Sequence, residues 1–265
     1  MNTAEIPTME IPRRLVGRVA IITGAGHGIG KAYAWRFAQE GARVVIAELD
    51  GNAAEAVSRD LCQAGYEAIA FACDVSNEQQ MIEMARKTIE KFSRIDILVN
   101  NASIFVTVPM SRLPFDQIDP EEWDRLMRVN LKGMWLACRA VVPQMRKQGY
   151  GKIVNISSGT AFHGRGGRIH YTTSKAGVLG FTRTLARELG KDGITVNCVA
   201  PGSTMSEEKP DDGTVKLRES AVSTRAIDRI QRPADIMGAV AFFASSDSDF
   251  ITGQSLLVNG GDHLQ

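Results

Sequence analysis

"VAIITGAGHGIGKAYA", residues 19–34, decides the fold of this chain. A run of apolar residues leads into a cluster of glycines, and residues with helical spacing follow. Glycine is needed because so tight a turn requires backbone angles and close approaches that side chains forbid. The N–H groups that open the helix would face an anion such as the pyrophosphate of a dinucleotide. The predicted loop contacts are Gly24, Gly26, His27, Gly28, Ile29 and Gly30.

The next strand-like run ends in an acid at the distance from the glycines that is typical of a dinucleotide site. Glu48 closes this run, and its carboxylate could accept both hydroxyls of the adenosine ribose and would repel a 2′-phosphate. We therefore expect NAD as the cofactor. The alternative is a solvated acid at a strand end. His27 stands where a cation could bind a 2′-phosphate, but histidine is mostly neutral at pH 7 and argues only weakly for NADP.

Apolar β-branched runs alternate with amphipathic segments along the chain. Continuously apolar runs suit strands that are covered on both faces, and strict β–α alternation predicts a parallel sheet. About seven such runs predict a Rossmann-like, doubly wound α/β fold with helices on both faces. We expect one domain over residues 15–265, a flexible arm over residues 1–14, and a lid at about 203–230, where the sequence is long, polar and irregular.

Composition narrows the class of protein. The chain has 265 residues, of which 44% are hydrophobic and 23% charged, as in an ordinary globular protein, and its net charge of +1 gives no reason to expect nucleic-acid or membrane partners. Its four cysteines are scattered, which predicts free thiols and no metal site. No signal peptide and no apolar run of about 20 residues is visible. We expect a cytoplasmic protein that binds a small molecule.

A tyrosine and a lysine four residues apart suggest acid–base chemistry. Tyr171 and Lys175 would share one face of a helix. A buried ammonium close to a phenol lowers the phenol's pKa from about 10, so the phenol could exchange a proton near neutral pH. Ser158 follows a strand-like run at its carboxyl end, where ligands of parallel sheets bind. Its hydroxyl could hold the oxygen of a substrate against Tyr171, which predicts oxidation of an alcohol or reduction of a ketone.

Seven motifs stand in the order and at roughly the spacing of one enzyme family. They are Thr23-Gly24-x-x-x-Gly28-Ile29-Gly30, "CDV" (73–75), "NNAS" (100–103), "VN" (129–130), "ISS" (156–158), "YTTSK" (171–175) and "PGST" (201–204). With them, the chain resembles the classical short-chain dehydrogenase/reductase family from about residue 15 to residue 261. The resemblance implies a homotetramer, and it implies that Asn130 positions a water linking Lys175 to solvent, beside Ser158 and Tyr171. Further cofactor contacts that it implies are Asp74, Val75, Asn101, Ala102, Tyr171, Lys175, Pro201, Gly202 and Thr204.

The sequence departs from the family's pattern in one motif and leaves two other points open. Ser103 replaces the usual glycine of "NNAG", and it would either crowd the nicotinamide pocket or offer a hydrogen bond to the substrate. Thr204 is preferred to Ser206 as the hydroxyl near the nicotinamide. Arg165 and Arg168 either lie in solvent or at a subunit contact, or bind an anionic group of the substrate. A nucleic-acid contact by this one short "RGG" is disfavoured.

These observations predict an NAD-dependent secondary-alcohol dehydrogenase or ketone reductase. The alternative within the same class is an NADPH-dependent 3-oxoacyl thioester reductase, which Glu48 opposes. An alternative of another class is a non-catalytic nucleotide-binding scaffold, since a fold does not fix a function. The intact set of Ser158, Tyr171 and Lys175 argues against the scaffold.

Overall fold

A computed structural model of the protein describes residues 12–105, 108, 110–207 and 209–264. The predicted arm, residues 1–14, lies outside the described residues as far as residue 11. Arg14 is tied to the fold, because its guanidinium donates to the fully buried carboxylate of Glu40 over 2.7 and 2.8 Å. Leu15 is also fully buried. The chain is thus anchored at the start of the predicted domain, whose bounds stay a prediction.

A single sheet of seven parallel strands forms the centre of the molecule, in the order β3-β2-β1-β4-β5-β6-β7. The strands are β1 (Val19–Thr23), β2 (Arg43–Glu48), β3 (Ala68–Ala72), β4 (Ile97–Asn100), β5 (Gly151–Ile156), β6 (Ile194–Pro201) and β7 (Ser255–Val258). The strand order reverses between β1 and β4, which opens a crevice at the carboxyl ends of the strands. This architecture confirms the predicted Rossmann-like, doubly wound sheet.

Helices cover both faces of the sheet, as predicted. In the described chain they are α1 (Gly28–Gln39), α2 (Gly51–Gln63), α3 (Glu78–Phe92), α4 (Pro120–Met127), α5 (Met134–Gln148), α6 (Thr160–His163), α7 (Ile169–Leu189), α8 (Asp212–Ser220) and α9 (Ala234–Ala244). Helices α1, α2 and α9 pack on one face and α3, α5 and α7 on the other, so two apolar cores enclose the sheet. None of the described helices is both long and apolar enough to cross a membrane.

Two segments differ from a simple reading of the pattern. The amphipathic run 121–148 is interrupted, because Arg128–Gly133 form a π-helical segment between α4 and α5. The expected lid, 203–230, is not irregular throughout, since α8 lies within it. Asp211 caps α8 by accepting a hydrogen bond from the N–H of Thr214 at 2.7 Å. Both segments border the crevice, so they bear on the functional site.

Candidate active site

A cavity of about 1510 Å³ occupies the crevice at the carboxyl ends of the strands. It gathers most of the predicted site residues, which are Gly24, His27, Gly28, Ile29, Gly30, Glu48, Asp74, Val75, Asn101, Ala102, Ser158, Tyr171, Lys175, Pro201, Gly202 and Thr204. Gly26 and Asn130 do not line it. Gly26 is buried against Glu48 and Ala53, and Asn130 lies behind the wall with 1% of its surface exposed.

The glycine loop leaves room for a dinucleotide. A Cβ at Gly24 would lie 2.8 Å from the Cα of Ala102, and one at Gly30 would lie 2.1 Å from the carbonyl oxygen of Gly24. Gly28 has a φ of +53°, which disfavours a side chain. His27 precedes α1 but its side chain makes no capping hydrogen bond. The first N–H groups of α1 therefore remain for an anion, and the loop fits a pyrophosphate.

Asn101 braces the glycine loop from β4. Its amide Nδ2 donates to the carbonyl oxygens of Thr23 and Gly24 at 3.0 and 2.9 Å, and its backbone N–H donates to Thr23 Oγ1 at 3.0 Å. Asn101 lines the cavity as predicted, but its amide group is engaged with the loop. Its side chain therefore shapes the phosphate site by holding β1 and β4 together.

Glu48 lies at the end of β2 beside the loop. Its carboxylate accepts hydrogen bonds from the N–H groups of Gly26 and Leu49 at 2.9 and 2.8 Å. The imidazole Nε2 of His27 lies 4.0 Å from the carboxylate of Asp50. The guanidinium of Arg43 is turned away, since it donates to the carbonyl oxygen of Gly17 at 3.2 Å. The carboxylates of Glu48 and Asp50 therefore lie where the adenosine ribose of a dinucleotide would bind. They suit the hydroxyl groups of that ribose better than a 2′-phosphate.

The remaining predicted cofactor contacts form the floor and the far wall of the cavity. Asp74 accepts a hydrogen bond from the N–H of Ser76 at 2.8 Å, and Val75 packs against Gly133, where a Cβ would lie 2.7 Å from it. Thr204 is buried, and its hydroxyl bonds the carbonyl oxygen of Gly202 at 3.1 Å. The carbonyl oxygen of Ser206 lies 3.4 Å from a Cβ placed on Gly28. Both hydroxyl-bearing candidates therefore border the site.

Tyr171 and Lys175 share one face of α7, and Ser158 follows β5, so these two elements bring the predicted catalytic groups together. The hydroxyl of Ser158 lies near enough to that of Tyr171 to favour the phenolate and lower its pKa. The ammonium of Lys175 lies 5.8 Å from the centre of the Tyr171 ring and donates to the carbonyl oxygen of Ile156 at 3.0 Å. Ser157 has a structural contact, donating to the carbonyl oxygen of Lys175 at 2.7 Å.

Burial dominates the acidity of this group of side chains. It raises the pKa of Tyr171 to about 12 and lowers the pKa of Lys175 to about 8. The hydrogen bond from Ser158 and the positive charges of Arg168 and Arg218 act in the opposite direction on the pKa of Tyr171. The sequence-based expectation named Lys175 as the cation that lowers the pKa of the phenol, and the structure adds these two arginines.

Asn130 explains the π-helical segment. Its Oδ1 accepts a hydrogen bond from the N–H of Ile104 at 2.9 Å, and its Nδ2 donates to Ser174 Oγ at 3.0 Å. Ser174 in turn donates to the carbonyl oxygen of Tyr171 at 2.8 Å. One-turn π-helical bulges are frequent at functional sites because they redirect a side chain. Here Asn130 connects Ser174 of α7 to Ile104, which lines the cavity.

The substrate wall begins at Ser103. Phe105 stacks on Tyr171, with ring centres 4.9 Å apart and an interplanar angle of 29°. Ile104 is buried against the same cluster. The hydroxyl of Ser103 lies 3.5 Å from the carbonyl oxygen of Ile104 and lines the cavity. An apolar wall therefore stands directly beside the phenol.

Several cavity residues had no prediction from the sequence. Arg112 comes from the loop before α4 and Arg218 from α8, and the guanidinium of Arg218 is paired with Glu207 at 2.6 Å. His163, Asp262 and His263 also line the cavity, with potential ligand atoms within 4.8 Å of one another. Helical spacing could have pointed to Arg218, because positions 211, 214, 218 and 221 all face the cavity. Nothing local in the sequence links residue 163 to residues 262 and 263.

The chain is similar in sequence to proteins of known activity. A family model described as enoyl-(acyl carrier protein) reductase matches residues 24–263. The 3-oxoacyl-(acyl-carrier-protein) reductase FabG of Thermotoga maritima is 38% identical over 251 residues, which are 94% of this chain and 98% of the relative. The (2S)-((R)-hydroxy(phenyl)methyl)succinyl-CoA dehydrogenase subunit BbsD of Thauera aromatica is 40% identical over 250 residues, which are 93% of this chain and 97% of the relative.

A solved structure is similar over the same length. The crystal structure of levodione reductase has a TM-score of 0.87 and 31% sequence identity, covering 94% of this chain and 98% of that chain. The match therefore extends over the sheet, both helical layers and the cavity, and does not stop at the glycine loop. With the family model and the relatives above, it shows that this chain is an oxidoreductase that belongs to the short-chain dehydrogenase/reductase family.

Proposed function

We propose that this chain transfers a hydride between NAD(H) and a secondary alcohol or ketone, with Tyr171 as the general acid and base. The observation that carries the proposal is the buried hydroxyl of Tyr171, which lies beside the hydroxyl of Ser158 at the wall of a cavity that also holds the glycine loop. A scaffold protein would have no need of such a pair.

The cofactor would be held by the first N–H groups of α1 at its pyrophosphate and by Glu48 at its ribose. When bound, the nicotinamide supplies the group that accepts or gives the hydride. The carboxylate of Glu48 would repel a 2′-phosphate, and that of Asp50 adds negative charge at the same end of β2. Both support NAD as the cofactor.

The protein residues would divide the proton chemistry among them. In oxidation, the phenolate of Tyr171 takes the proton of the alcohol while Ser158 holds the same oxygen by a hydrogen bond. Lys175, whose pKa burial lowers to about 8, stands where it could exchange protons with solvent near neutral pH. Asn130 acts as a positioning residue, since its amide holds Ile104 and Ser174. In reduction the neutral phenol of Tyr171 returns the proton.

A second candidate function is the reduction of a 3-oxoacyl thioester. The relatives favour it, because FabG is named for 3-oxoacyl carrier-protein substrates and BbsD for a coenzyme A thioester. Levodione reductase, named for a substrate that is not a thioester, has the same fold and keeps the first candidate open. If the second function uses NADPH, as the sequence-based alternative supposes, the carboxylate of Glu48 opposes it. A panel of substrates with both cofactors separates the two candidates.

The panel contains cyclic and aryl ketones, the matching alcohols, and acetoacetyl-CoA, each with NAD(H) and NADP(H). We expect turnover with NAD(H) on ketones or alcohols that lack a thioester. Turnover confined to acetoacetyl-CoA with NADPH would overturn the main proposal in favour of the second candidate. Loss of all turnover, with cofactor still bound, would support a binding protein.

The role of Tyr171 is tested by Tyr171→Phe with Tyr33→Phe as its matched control. Tyr33 is also fully buried, and its hydroxyl has no hydrogen-bond partner among the described residues. We expect Tyr171→Phe to lower kcat by at least about 100-fold, since removal of a general acid or base typically costs that much. Tyr33→Phe should leave kcat unchanged. Equal activity of the two variants would show that the phenol of Tyr171 is not the acid or base.

Three further proposals concern the whole protein. We propose that the segment 203–230 acts as a lid over the cavity, to which its residues Ser206, Glu207 and Arg218 contribute. We propose a cytoplasmic location, on the ground that the four cysteines are free thiols. We propose a homotetramer, on the ground of the family resemblance.

A further inference from the structure

Arg168 is a buried cation at the edge of the active site. It stands immediately before α7, three residues before Tyr171, and only 8% of its surface is exposed. It lines the cavity, and its guanidinium carbon lies 5.9 Å from the centre of the Phe105 ring. The same ring stacks on Tyr171. The guanidinium and the phenol therefore lie against one aromatic side chain, within reach of one small molecule.

Among the residues that the structure describes, no carboxylate lies at ion-pairing distance from Arg168, and its guanidinium makes no hydrogen bond. Burial and the nearby cations Arg112 and Arg165 lower the pKa of Arg168 to about 10, Tyr171 acts in the opposite direction, and Arg218 makes a smaller lowering contribution. A buried charge is costly unless it is paired and hydrogen-bonded. The surroundings of Arg168 thus favour the arrival of an anion.

The carboxylates that line the cavity are already engaged elsewhere. Glu207 pairs with Arg218 at 2.6 Å, Asp211 caps α8, and Asp262 accepts a hydrogen bond from the hydroxyl of Thr224. Glu48 and Asp74 accept backbone hydrogen bonds at the other end of the cavity. None of these described carboxylates pairs with Arg168, which leaves its guanidinium available to an anionic ligand.

Packing against protein groups does not by itself explain why the side chain of Arg168 is buried. Its contact with Phe105 is at the outer limit of a cation–π interaction, about 6 Å. Such a contact also leaves the five N–H donors of the guanidinium without acceptors. Arg165, on the same loop, shows the usual alternative, because its side chain is exposed to water. The burial of Arg168 beside the phenol is therefore better explained by a ligand.

We propose that Arg168 binds a carboxylate of the substrate, so that the enzyme acts on oxo acids and hydroxy acids. The planar fork of a guanidinium matches the two oxygens of a carboxylate. Phe105 would lie along the part of the substrate between its carboxylate and its reacting carbon, which suits an apolar or aromatic spacer. This inference rests on the proposed function, since it takes the hydroxyls of Tyr171 and Ser158 as the place of the reacting oxygen.

The test compares keto acids with their methyl esters, which differ only in the charge that Arg168 would bind. The probes are 4-acetylbenzoate, 3-acetylbenzoate and 4-oxopentanoate, reduced with NADH at pH 6.5. We expect kcat/KM for at least one acid to exceed that for its ester by about 30-fold or more, as for other buried charge pairs. Arg168→Gln should abolish this preference and Arg168→Lys should keep part of it. Arg165→Gln removes the same charge from an exposed residue that also lines the cavity, so it is the control and should keep most of the preference.

Binding is measured separately by calorimetry, with the enzyme saturated with NAD⁺, which cannot reduce the ketones. The acid should bind more tightly than its ester in the wild type and equally well in Arg168→Gln. If acids bind through Arg168 and neither they nor the other ketones of the panel are reduced, the proposed function is overturned, while the binding of a carboxylate by Arg168 stands. Equal rates of reduction for acids and esters would overturn the inference and leave the proposed function standing. An Arg168→Gln variant that changes the two rates by the same factor would do the same. Acids that bind no more tightly than their esters would also overturn it.

Discussion

Opposing influences act on the acidity of Tyr171. Burial stabilises the neutral phenol, while the hydrogen bond from Ser158 and the charges of Arg168 and Arg218 stabilise the phenolate. Burial prevails in the protein described here, and the pKa of Tyr171 is raised to about 12. The phenol is therefore ready to donate a proton, as reduction requires. Oxidation requires the phenolate, so its rate depends on the groups that lower the pKa of Tyr171.

The charge of Arg168 should appear in the pH dependence of oxidation. Because a cation lowers the pKa of a phenol, Arg168→Gln should raise the pKa of Tyr171 and move the rise of kcat/KM to higher pH. If the midpoint of this rise moves up by about one pH unit, kcat/KM at a fixed pH below the midpoint falls about tenfold. The measurement is kcat/KM against pH with an uncharged secondary alcohol. Arg165→Gln is the control, and an unchanged midpoint in Arg168→Gln would show that this charge does not act on the phenol.

Glu48 should decide the choice of cofactor. Glu48→Gln keeps the size of the side chain and an acceptor for the N–H of Gly26, but removes the charge that would repel a 2′-phosphate. We expect the affinity for NADPH to rise by about tenfold or more and that for NADH to fall, measured by fluorescence titration. Glu55→Gln, on the exposed side of α2, is the control for the loss of one negative charge. Unchanged affinities in Glu48→Gln would contradict the assignment.

At the scale of elements, the contact of β1, its loop and α1 is the tightest in the site. Gly30 lies in the first turn of α1, directly against the carbonyl oxygen of Gly24. Asn101 holds the same carbonyl from the neighbouring strand. The phosphate site thus depends on the close approach of three segments, and one added methyl group would separate them.

Two glycine-to-alanine substitutions in helices test this contact. Gly30→Ala would place a Cβ 2.1 Å from a carbonyl oxygen, whereas Gly238→Ala, in α9, meets nothing within 4 Å. We expect Gly30→Ala to lower the free energy of unfolding by about 1–3 kcal/mol and to weaken NADH binding at least tenfold. Gly238→Ala should raise the free energy of unfolding by about 0.5–1 kcal/mol and leave binding unchanged. Urea unfolding and NADH titration measure both, and equal behaviour of the two variants would refute the role of the contact.

At the scale of the whole molecule, the sheet has two covered faces and the helices expose some apolar groups to solvent. Trp135 on α5 and Ile169 on α7 are large apolar side chains that are 46% and 45% exposed. Exposed apolar groups on the surfaces of helices are typical of regions that contact another subunit.

A homotetramer should have four times the chain mass of 28.8 kDa. We expect sedimentation equilibrium to give this mass over a range of micromolar concentrations. Trp135→Lys should lower the mean mass, because a buried lysine without a partner would weaken the contact. A mass equal to that of one chain at every concentration would contradict the tetramer.

The sequence by itself determined the features that depend on local spacing. Gly24, Gly28 and Gly30 require a strand–loop–helix, because only glycine tolerates those angles and approaches, and alternating runs along the chain require a covered parallel sheet. Tyr171 and Lys175 had to share a helix face, since they are four residues apart. The interruption of the run 121–148 at Asn130 could not be foreseen, because its cause is a pair of contacts with Ile104 and Ser174, distant in the sequence.

Only the tertiary structure decided the charge and shape around the phenol. Arg168, Arg218 and Phe105 come from three separate segments, and their distances from Tyr171 depend on how loops and α8 close over the sheet. The sequence left Arg168 open between a solvated or subunit-contact residue and an anion site, while the fold buries it with no carboxylate of the described residues at ion-pairing distance. Burial and through-space charge act between residues that no spacing relates. These two effects set the pKa of Tyr171, a side chain that the sequence had already identified as a candidate acid and base.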